Sequence, residues 1–196
     1  MKVFGIGLNK TGTKTLGSCF NEFGYLHKSV DRQAFELFKK GDLNGLFNII
    51  DDYDSFEDWP WPLIYKEIDK RFPDSKFILT LRKTPEIWFK SLCRHADYTG
   101  PTEYRKHIYG FAMPHKHKQH HLNFYNKHIN DVSEYFKNRP EKLLIICWEN
   151  GDGWDKLCSF LNFKCPDIPI PHENKRRTNF ELAKNRIKKY SCSFIK

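Results

Sequence analysis

The chain has 196 residues, with 33 Lys and Arg against 24 Asp and Glu, and carries a net charge of +9. This length predicts a single domain over residues 1–196, and a content of 39% hydrophobic residues excludes a disordered chain. No apolar run approaches the roughly 18 residues that cross a bilayer, and the run after Met1 is too short for a signal peptide, so we expect a cytoplasmic protein without membrane insertion. The positive charge predicts anionic ligands.

Hydrophobic periodicity divides the chain into alternating strands and helices. Continuous apolar runs bounded by turn residues predict buried strands at residues 3–7, 76–82 and 143–148. Apolar residues at helical spacing, with cap signals, predict helices at residues 16–23, 31–40, 63–72, from 84 onward, 103–138 with a break near Pro114, 154–161 and 177–190. The acidic residues 51–62, rich in Trp and Pro, are predicted to form a loop. The alternation predicts an α/β fold, a three-layer sandwich with a central parallel sheet flanked by helices.

The cysteines and histidines give little support for disulfide or metal chemistry. None of the six cysteines belongs to a CxxC pair, and most lie in apolar stretches, which favours small buried thiols. His115, His117, His120 and His121 cluster in one segment, but no Cys, Asp or Glu lies within it. We therefore expect no metal site there and interpret the segment as a basic, solvated or anion-facing stretch.

The most informative feature is the turn after the first predicted strand, residues 7–16 with the sequence GLNKTGTKTL. A strand, a turn rich in Gly and Thr, and a helix N-terminus together form an anion site, because backbone N–H groups and the positive end of the helix dipole converge there. Gly12 allows the backbone to approach an anion closely.

Two nucleotide-binding motifs fit this turn poorly. In the nucleoside-triphosphate loop GxxxxGK[ST], Gly7 and Gly12 have the right spacing, but Thr13 places Lys14 one residue out of register. No clear acidic strand end for magnesium follows. The dinucleotide fingerprint GxGxxG fails because Lys10 stands at its third glycine. A small kinase that uses ATP or GTP with an atypical phosphate loop is the alternative interpretation.

Two stretches instead resemble the sulfotransferases that use 3′-phosphoadenosine 5′-phosphosulfate (PAPS), in particular the bacterial members. The order Lys-Thr-Gly-Thr-x-Thr-Leu, from Lys10 to Leu16, resembles the 5′-phosphosulfate loop of that family. Residues 77–92 carry Arg82 at a strand end and Ser91 on the next helix, and they resemble the family's 3′-phosphate site. The spacing between those two residues is one residue longer than is common in the family.

The resemblance covers most of the chain. Residues 169–177 are similar to the Pro-x-Pro-x-x-Asn stretch of some bacterial sulfotransferases and put Lys175 and Arg176 where a basic cluster would close over the 3′-phosphate. Residues 143–161 match a later strand and helix. The resemblance implies a P-loop NTPase-like fold, PAPS as co-substrate, no metal, and a small-molecule or carbohydrate acceptor that remains unidentified. The oligomeric state stays open.

The resemblance also implies roles for the loop residues. Lys10 would stabilise the charge that grows on the bridging oxygen as the sulfuryl group moves in line to the acceptor. The 5′-phosphate would be held by the residues that follow, namely Thr11, Gly12, Thr13, Lys14 and Thr15.

Neither motif fixes the general base, and three residues are candidates. Asp58 lies in the acidic loop, His95 follows Ser91 on the same predicted helix, and His27 follows the first helix. Histidine titrates near neutrality, but Asp58 leads because an Asp-Trp-Pro segment before the Arg82 strand is similar to bacterial relatives.

A third interpretation is a nucleic-acid binder. Basic residues with interleaved aromatic side chains at 105–127, together with the basic residues 175–189, have a composition that single-strand binders use. No recognition motif accompanies them, so nucleic acid is not the expected partner.

Overall fold

The computed structural model describes residues 1–171 of the chain. The strands are β1 (Val3–Gly5), β2 (His27–Lys28), β3 (Ser55–Phe56), β4 (Lys76–Thr80) and β5 (Leu143–Ile146). The helices are α1 (Thr13–Glu22), α2 (Arg32–Lys40), α3 (Leu43–Asp51), α4 (Tyr65–Arg71), α5 (Pro85–Thr99), α6 (Glu103–Tyr109), α7 (Lys118–Phe136) and α8 (Trp154–Leu161). Short 3₁₀ turns lie at Trp61–Leu63, Pro140–Lys142 and Trp148–Asn150.

The five strands form one parallel sheet in the order β2-β3-β1-β4-β5. The central strand β1 is buried on both faces, as its continuous apolar sequence predicts. Phe4 stacks between Phe56 and Phe77 on one face, with ring centroids 4.7 and 5.7 Å apart. Val3 and Ile78 point to the opposite face, because successive side chains of a strand alternate.

Helices cover both faces of this sheet. Leu16 of α1 and Leu157 of α8 pack on the face of Val3. Elements α2, α3, α4 and α7 bury apolar side chains on the face of Phe4, among them Leu46 and Val132. The predicted α/β sandwich with a central parallel sheet is therefore confirmed.

Helix caps form where the sequence predicted them. The Asp31 side chain accepts a hydrogen bond from the N–H of Ala34 at 2.7 Å, and Gly41 ends α2 with a φ of 71°. Thr84 caps α5 ahead of Pro85 in its first turn.

Several elements differ from the sequence-based predictions. Residues 51–62, predicted as a loop, contain β3 and the start of a 3₁₀ turn, and β2 and α3 were not predicted. Strands β2 and β3 have only two residues each, too few to produce a periodic pattern. Residues 103–138 contain two helices, α6 and α7, separated by the eight residues 110–117, which include Pro114. The predicted helix at 177–190 lies outside the described residues.

Candidate active site at the carboxyl edge of the sheet

The loop between β1 and α1 is anchored to the end of β4. The Thr11 hydroxyl donates to the carbonyl of Leu8 at 2.6 Å and is hydrogen-bonded to the Thr80 hydroxyl, also at 2.6 Å. A Cβ at Gly7 would overlap the Thr80 side chain and lie 2.5 Å from its carbonyl oxygen. Glycine is therefore required at position 7 by close packing. The Thr11 side chain holds the loop in shape and is fully buried.

Two buried rings hold the loop from the other side. The indole N–H of Trp88 donates to the backbone carbonyl of Asn9 at 2.9 Å. The Tyr109 hydroxyl donates to the Asn9 side-chain oxygen at 2.8 Å. Both rings belong to an apolar cluster that includes Leu8, after β1, and Trp59, after β3. The loop is thus fixed by contacts before any ligand binds.

The backbone of this region adopts left-handed conformations at three positions that the sequence analysis selected. Lys10 has a φ of 71°, Gly12 a φ of 94° and Asp58 a φ of 64°. A side chain in this conformation costs roughly 1–2 kcal/mol, and such costs concentrate at functional sites. Gly12 is the N-cap of α1 and no side chain caps that helix, so the first N–H groups of α1 have no intrahelical acceptor.

Lys10 and its charged neighbours form one electrostatic cluster. Burial lowers the pKa of the Lys10 ammonium group, and Asp58 opposes this effect. The positive charges of Lys14 and Arg82 lower it further. The structure therefore brings together four residues that the sequence analysis selected. Lys10 and Lys14 come from the loop after β1, Asp58 from the acidic segment and Arg82 from the end of β4.

Asp58 lies at the carboxyl end of β3 and has a strongly shifted acidity. Burial, reinforced by the neighbouring Glu57, raises the pKa of the Asp58 carboxyl to about 7. The Trp59 N–H donates to its Oδ1 at 2.9 Å, and this bond and the nearby lysines act in the opposite direction. A carboxyl with this pKa exchanges a proton readily near neutral pH.

His95 belongs to the same cluster. Burial, with Lys10, Arg105 and Lys14 nearby, lowers the pKa of His95 to about 4. Its imidazole is therefore neutral at pH 7. The Nδ1 atom is buried and has no hydrogen-bond partner within residues 1–171.

Arg82 follows β4 and is oriented by the turn after β5. Its Nη2 lies 3.1 Å from Oε1 of Glu149, whose Oε2 accepts the N–H of Lys83 at 2.8 Å. The N–H of Arg82 donates to the Tyr125 hydroxyl at 3.0 Å. The Arg82 Nε is buried and lacks a partner in the described part of the chain.

Trp148 lies directly against the loop. A Cβ added to Gly12 would overlap the indole ring and lie 2.6 Å from its Nε1. That Nε1 is buried and, within residues 1–171, donates to no acceptor. Gly12 therefore makes room for a ring, in addition to the role in anion approach that the sequence suggested.

Comparison with known proteins agrees with this arrangement. The model of the sulfotransferase domain family matches residues 2–108 and 98–179. The chain belongs to the sulfotransferase domain family. A relative from Aspergillus versicolor, "Ava biosynthesis cluster protein M", is 23% identical over 211 residues, which cover 88% of this chain and 80% of the relative. Family membership supports a sulfotransferase activity and the P-loop-like fold.

The structure also shows the surroundings of two further predicted residues, Ser91 and His27. Ser91 is on α5, one helical turn before His95 and partly buried. His27 lies beside Glu57, with its Nε2 3.8 Å from Oε1 of that residue. Lys175 and Arg176 lie outside the described residues.

The histidine segment makes contacts of its own. His115 Nε2 lies 2.9 Å from Oδ1 of Asp97, and His117 stacks on Phe111 with ring centroids 3.4 Å apart. Among residues 1–171, no three His, Cys, Asp or Glu side chains are grouped closely enough to hold a metal ion. No helix in that range is long and apolar enough to cross a bilayer.

The sequence analysis did not select Trp148, Glu149 or Asn9. Asn9 lies within the loop motif, but only the positions of Trp88 and Tyr109 reveal how it is held. Glu149 and Trp148 follow β5, and their place after a buried parallel strand was the available signal, since ligands bind at such strand ends.

Proposed function

We propose that this sulfotransferase-family protein transfers the sulfuryl group of PAPS to a hydroxyl, or an amine, of an acceptor molecule. One observation carries the proposal. Around a single phosphate-type loop, Lys10 and Lys14 lie within electrostatic reach of Asp58, a carboxyl with a pKa of about 7, and Arg82 lies within electrostatic reach of Lys10. Three cations suit a donor that bears two phosphates and a sulfate, and the carboxyl suits proton removal from an acceptor.

The unpartnered N–H donors beside the loop support this choice of donor. Arg82 Nε and Trp148 Nε1 are both buried, and neither has a hydrogen-bond partner within residues 1–171. A buried donor without an acceptor costs about 1–3 kcal/mol, so a ligand that supplies acceptors is favoured. Phosphate oxygens and purine ring nitrogens are such acceptors.

We assign each residue of the cluster one task. The N–H groups at the start of α1, with the Thr13 and Thr15 side chains and Lys14, would hold the 5′-phosphate. Arg82 and Ser91 would hold the 3′-phosphate. The family resemblance assigns Lys175 and Arg176 to that same phosphate, as a proposal only.

The chemistry then needs one cation and one base. Lys10 would stabilise the negative charge on the oxygen whose bond to sulfur breaks. Asp58 would accept the proton of the acceptor hydroxyl as that oxygen bonds to sulfur, and it would hold the proton until product leaves. His95, with a pKa of about 4, is a weaker base at neutral pH than Asp58.

Calorimetry with adenosine 3′,5′-bisphosphate tests the donor assignment. We expect Lys10→Ala and Arg82→Ala each to weaken binding about tenfold or more, because each removes a charge-assisted contact to phosphate. Lys90→Ala, which removes an exposed lysine of α5, should leave binding unchanged. Thermal unfolding of each variant checks that it is folded.

Two results would contradict the proposal. If the protein bound adenosine 5′-monophosphate as tightly as the 3′,5′-bisphosphate, the 3′-phosphate would have no role in binding. Magnesium-dependent ATP binding that requires Lys14 and not Lys10 would indicate the kinase alternative.

A further inference from the structure

A cleft lined by several polar residues lies beside α1. It is an open cleft of about 180 Å³ between α1 and the carboxyl ends of β2 and β3. One wall is a stripe of α1, formed by Lys14, Gly17 and Asn21. The facing wall contains His27, Ser29 and Glu57. Lys14 belongs to both this cleft and the charged cluster of the loop, so the two sites are contiguous.

Only one oxygen of the Glu57 carboxyl, at the base of the cleft, has a hydrogen-bond partner in the described part of the chain. Its side chain is 2% exposed. Oε1 accepts a hydrogen bond from the Ser29 hydroxyl, whereas Oε2 has no partner within residues 1–171. A buried carboxylate oxygen without a donor is costly, so the site favours a ligand that donates a hydrogen bond.

The His27 ring beside Glu57 offers a hydrogen-bond donor, whereas Glu57 offers an acceptor. Its side chain is 9% exposed, and its Nδ1 lies 2.9 Å from the hydroxyl oxygen of the buried Ser55. When that hydroxyl donates to Nδ1, Nε2 carries the ring proton. Nε2 has no hydrogen-bond partner in the described part of the chain and lies 3.8 Å from Glu57 Oε1.

Gly17 allows the His27 ring to pack closely against α1 in this corner of the cleft. A Cβ at position 17 would lie 2.7 Å from Nε2 of His27 and 3.4 Å from Cγ of Glu57. Any larger residue would therefore displace the His27 ring from its place beside Glu57. Because Gly17 lies inside a helix, where alanine is more stable by about 1 kcal/mol, the glycine has a packing reason to be there.

We propose that this cleft binds a hydroxyl group of the acceptor, distinct from the hydroxyl that receives the sulfuryl group. An alcohol donates one hydrogen bond and accepts others, and it satisfies Glu57 Oε2 and His27 Nε2 together. An alkylammonium group only donates, leaves the imidazole N–H without an acceptor, and is repelled by Lys14. The acceptor class is therefore a polyhydroxylated molecule, a sugar or another polyol. This assignment rests on the proposed function, because it treats the ligand as the acceptor.

Binding of myo-inositol tests the cleft. In the full-length protein saturated with adenosine 3′,5′-bisphosphate, NMR titration should show shifts of the His27 imidazole resonances and of α1 amides. Ethylammonium chloride at the same concentrations should produce none. Glu57→Gln and Gly17→Ala should each weaken inositol binding about tenfold or more, by loss of a charged acceptor and by displacement of the His27 ring. Glu22→Gln, on the exposed side of α1, is the matched control.

The outcomes separate the two proposals. Calorimetry of the bisphosphate on Gly17→Ala should give the wild-type affinity, which also shows that the variant is folded. Absence of inositol binding to the wild type, unchanged affinity in both cleft variants, or preferential ethylammonium binding would each overturn the polyol site. Failure of the wild type to bind bisphosphate would overturn the donor assignment, and inositol titration without bisphosphate would then still report on the cleft.

Discussion

At the scale of single residues, Asp58 illustrates how a fold changes an ordinary carboxyl. Its left-handed backbone turns it inward at the end of β3, next to Glu57 and within reach of Lys10. Burial and the like charge of Glu57 outweigh the lysines and raise its pKa from 3.8 to about 7. The folded protein therefore binds a proton at this site more tightly than the unfolded chain does.

We expect Asp58→Asn to stabilise the protein at pH 8 and to leave its stability nearly unchanged at pH 3. Because the folded pKa exceeds the unfolded one, the wild type loses stability as the pH rises from about 3.8 to about 7. Asparagine keeps the acceptor for the Trp59 N–H and tolerates a positive φ. The gain at pH 8 should be on the order of 4 kcal/mol in urea unfolding, because the pKa rises from 3.8 to about 7 and each pKa unit corresponds to about 1.4 kcal/mol. Asp51→Asn, an exposed carboxyl, should show no such difference, and equal effects of Asp58→Asn at both pH values would argue against the raised pKa.

From the sequence, only the site residues that belong to a recognisable motif could be predicted. Lys10 and Arg82 follow apolar strands in characteristic contexts, so their residue types and positions could be recognised. Glu57 could not be chosen over Asp58 from the sequence, since the two carboxyls are adjacent and only the fold directs one toward Lys10 and the other toward His27. The depressed pKa of His95 likewise depends on tertiary burial.

At the scale of elements, the loop between β1 and α1 is shaped by segments that are distant in the chain. The end of β4 contacts Gly7, and the turn after β5 places Trp148 on Gly12. Both glycines are positions where a side chain would meet another element. The geometry of the loop is thus a property of how β1, β4 and β5 pack together.

Gly12→Ala should lower stability by about 2–4 kcal/mol in denaturant unfolding followed by circular dichroism. About 1 kcal/mol of this comes from the positive φ of 94° and the rest from overlap with Trp148. Gly24→Ala is the matched control, because its φ is 78° and a Cβ there meets nothing within 4 Å.

A double variant separates the two causes of the stability loss, the positive φ at Gly12 and the overlap with Trp148. Adding Trp148→Ala to Gly12→Ala should relieve the overlap and leave the backbone cost, so the two substitutions should be strongly non-additive. Equal losses in Gly12→Ala and Gly24→Ala would show that the indole does not restrict position 12.

The helices were more predictable than the strands, for a physical reason. Asp31 and Thr84 cap α2 and α5 through local hydrogen bonds that the sequence encodes directly. Strands β2 and β3 consist of two residues each and exist because neighbouring strands pair with them. Helix α3 contains Gly45, a poor helix former, at a place where a Cβ would lie 2.9 Å from Leu37 of α2.

At the scale of the whole molecule, Asp69 connects α4 to the segment that leads into β5. Its side chain is 3% exposed and accepts hydrogen bonds from the Tyr135 hydroxyl, from Arg139 and from Lys142. Burial alone would raise the pKa of this carboxyl, but the three hydrogen bonds outweigh burial and lower it. The cluster joins helices on one face of the sheet to the start of its edge strand.

Asp69→Asn should destabilise the protein by about 2 kcal/mol at pH 7, somewhat less than a fully buried ion pair because Arg139 is partly exposed. The depressed pKa contributes stability above the unfolded value of 3.8, and that contribution is lost as the pH falls through the lower folded value. Urea unfolding of variant and wild type at pH 7 and pH 2.5 should therefore show a difference that shrinks at low pH. Asp74→Asn, an exposed carboxyl nearby, serves as the control, and a difference independent of pH would point to lost packing instead of lost charge.

The central position of β1 has a consequence for synthesis of the chain. Residues of the loop between β1 and α1 leave the ribosome before their hydrogen-bond partners Thr80, Trp88 and Tyr109, which follow 69, 79 and 100 positions later. A nascent chain therefore carries an unpaired apolar strand for much of translation, exposed to aggregation or to chaperones. The loop acquires its final shape only when β5 and Trp148 have emerged.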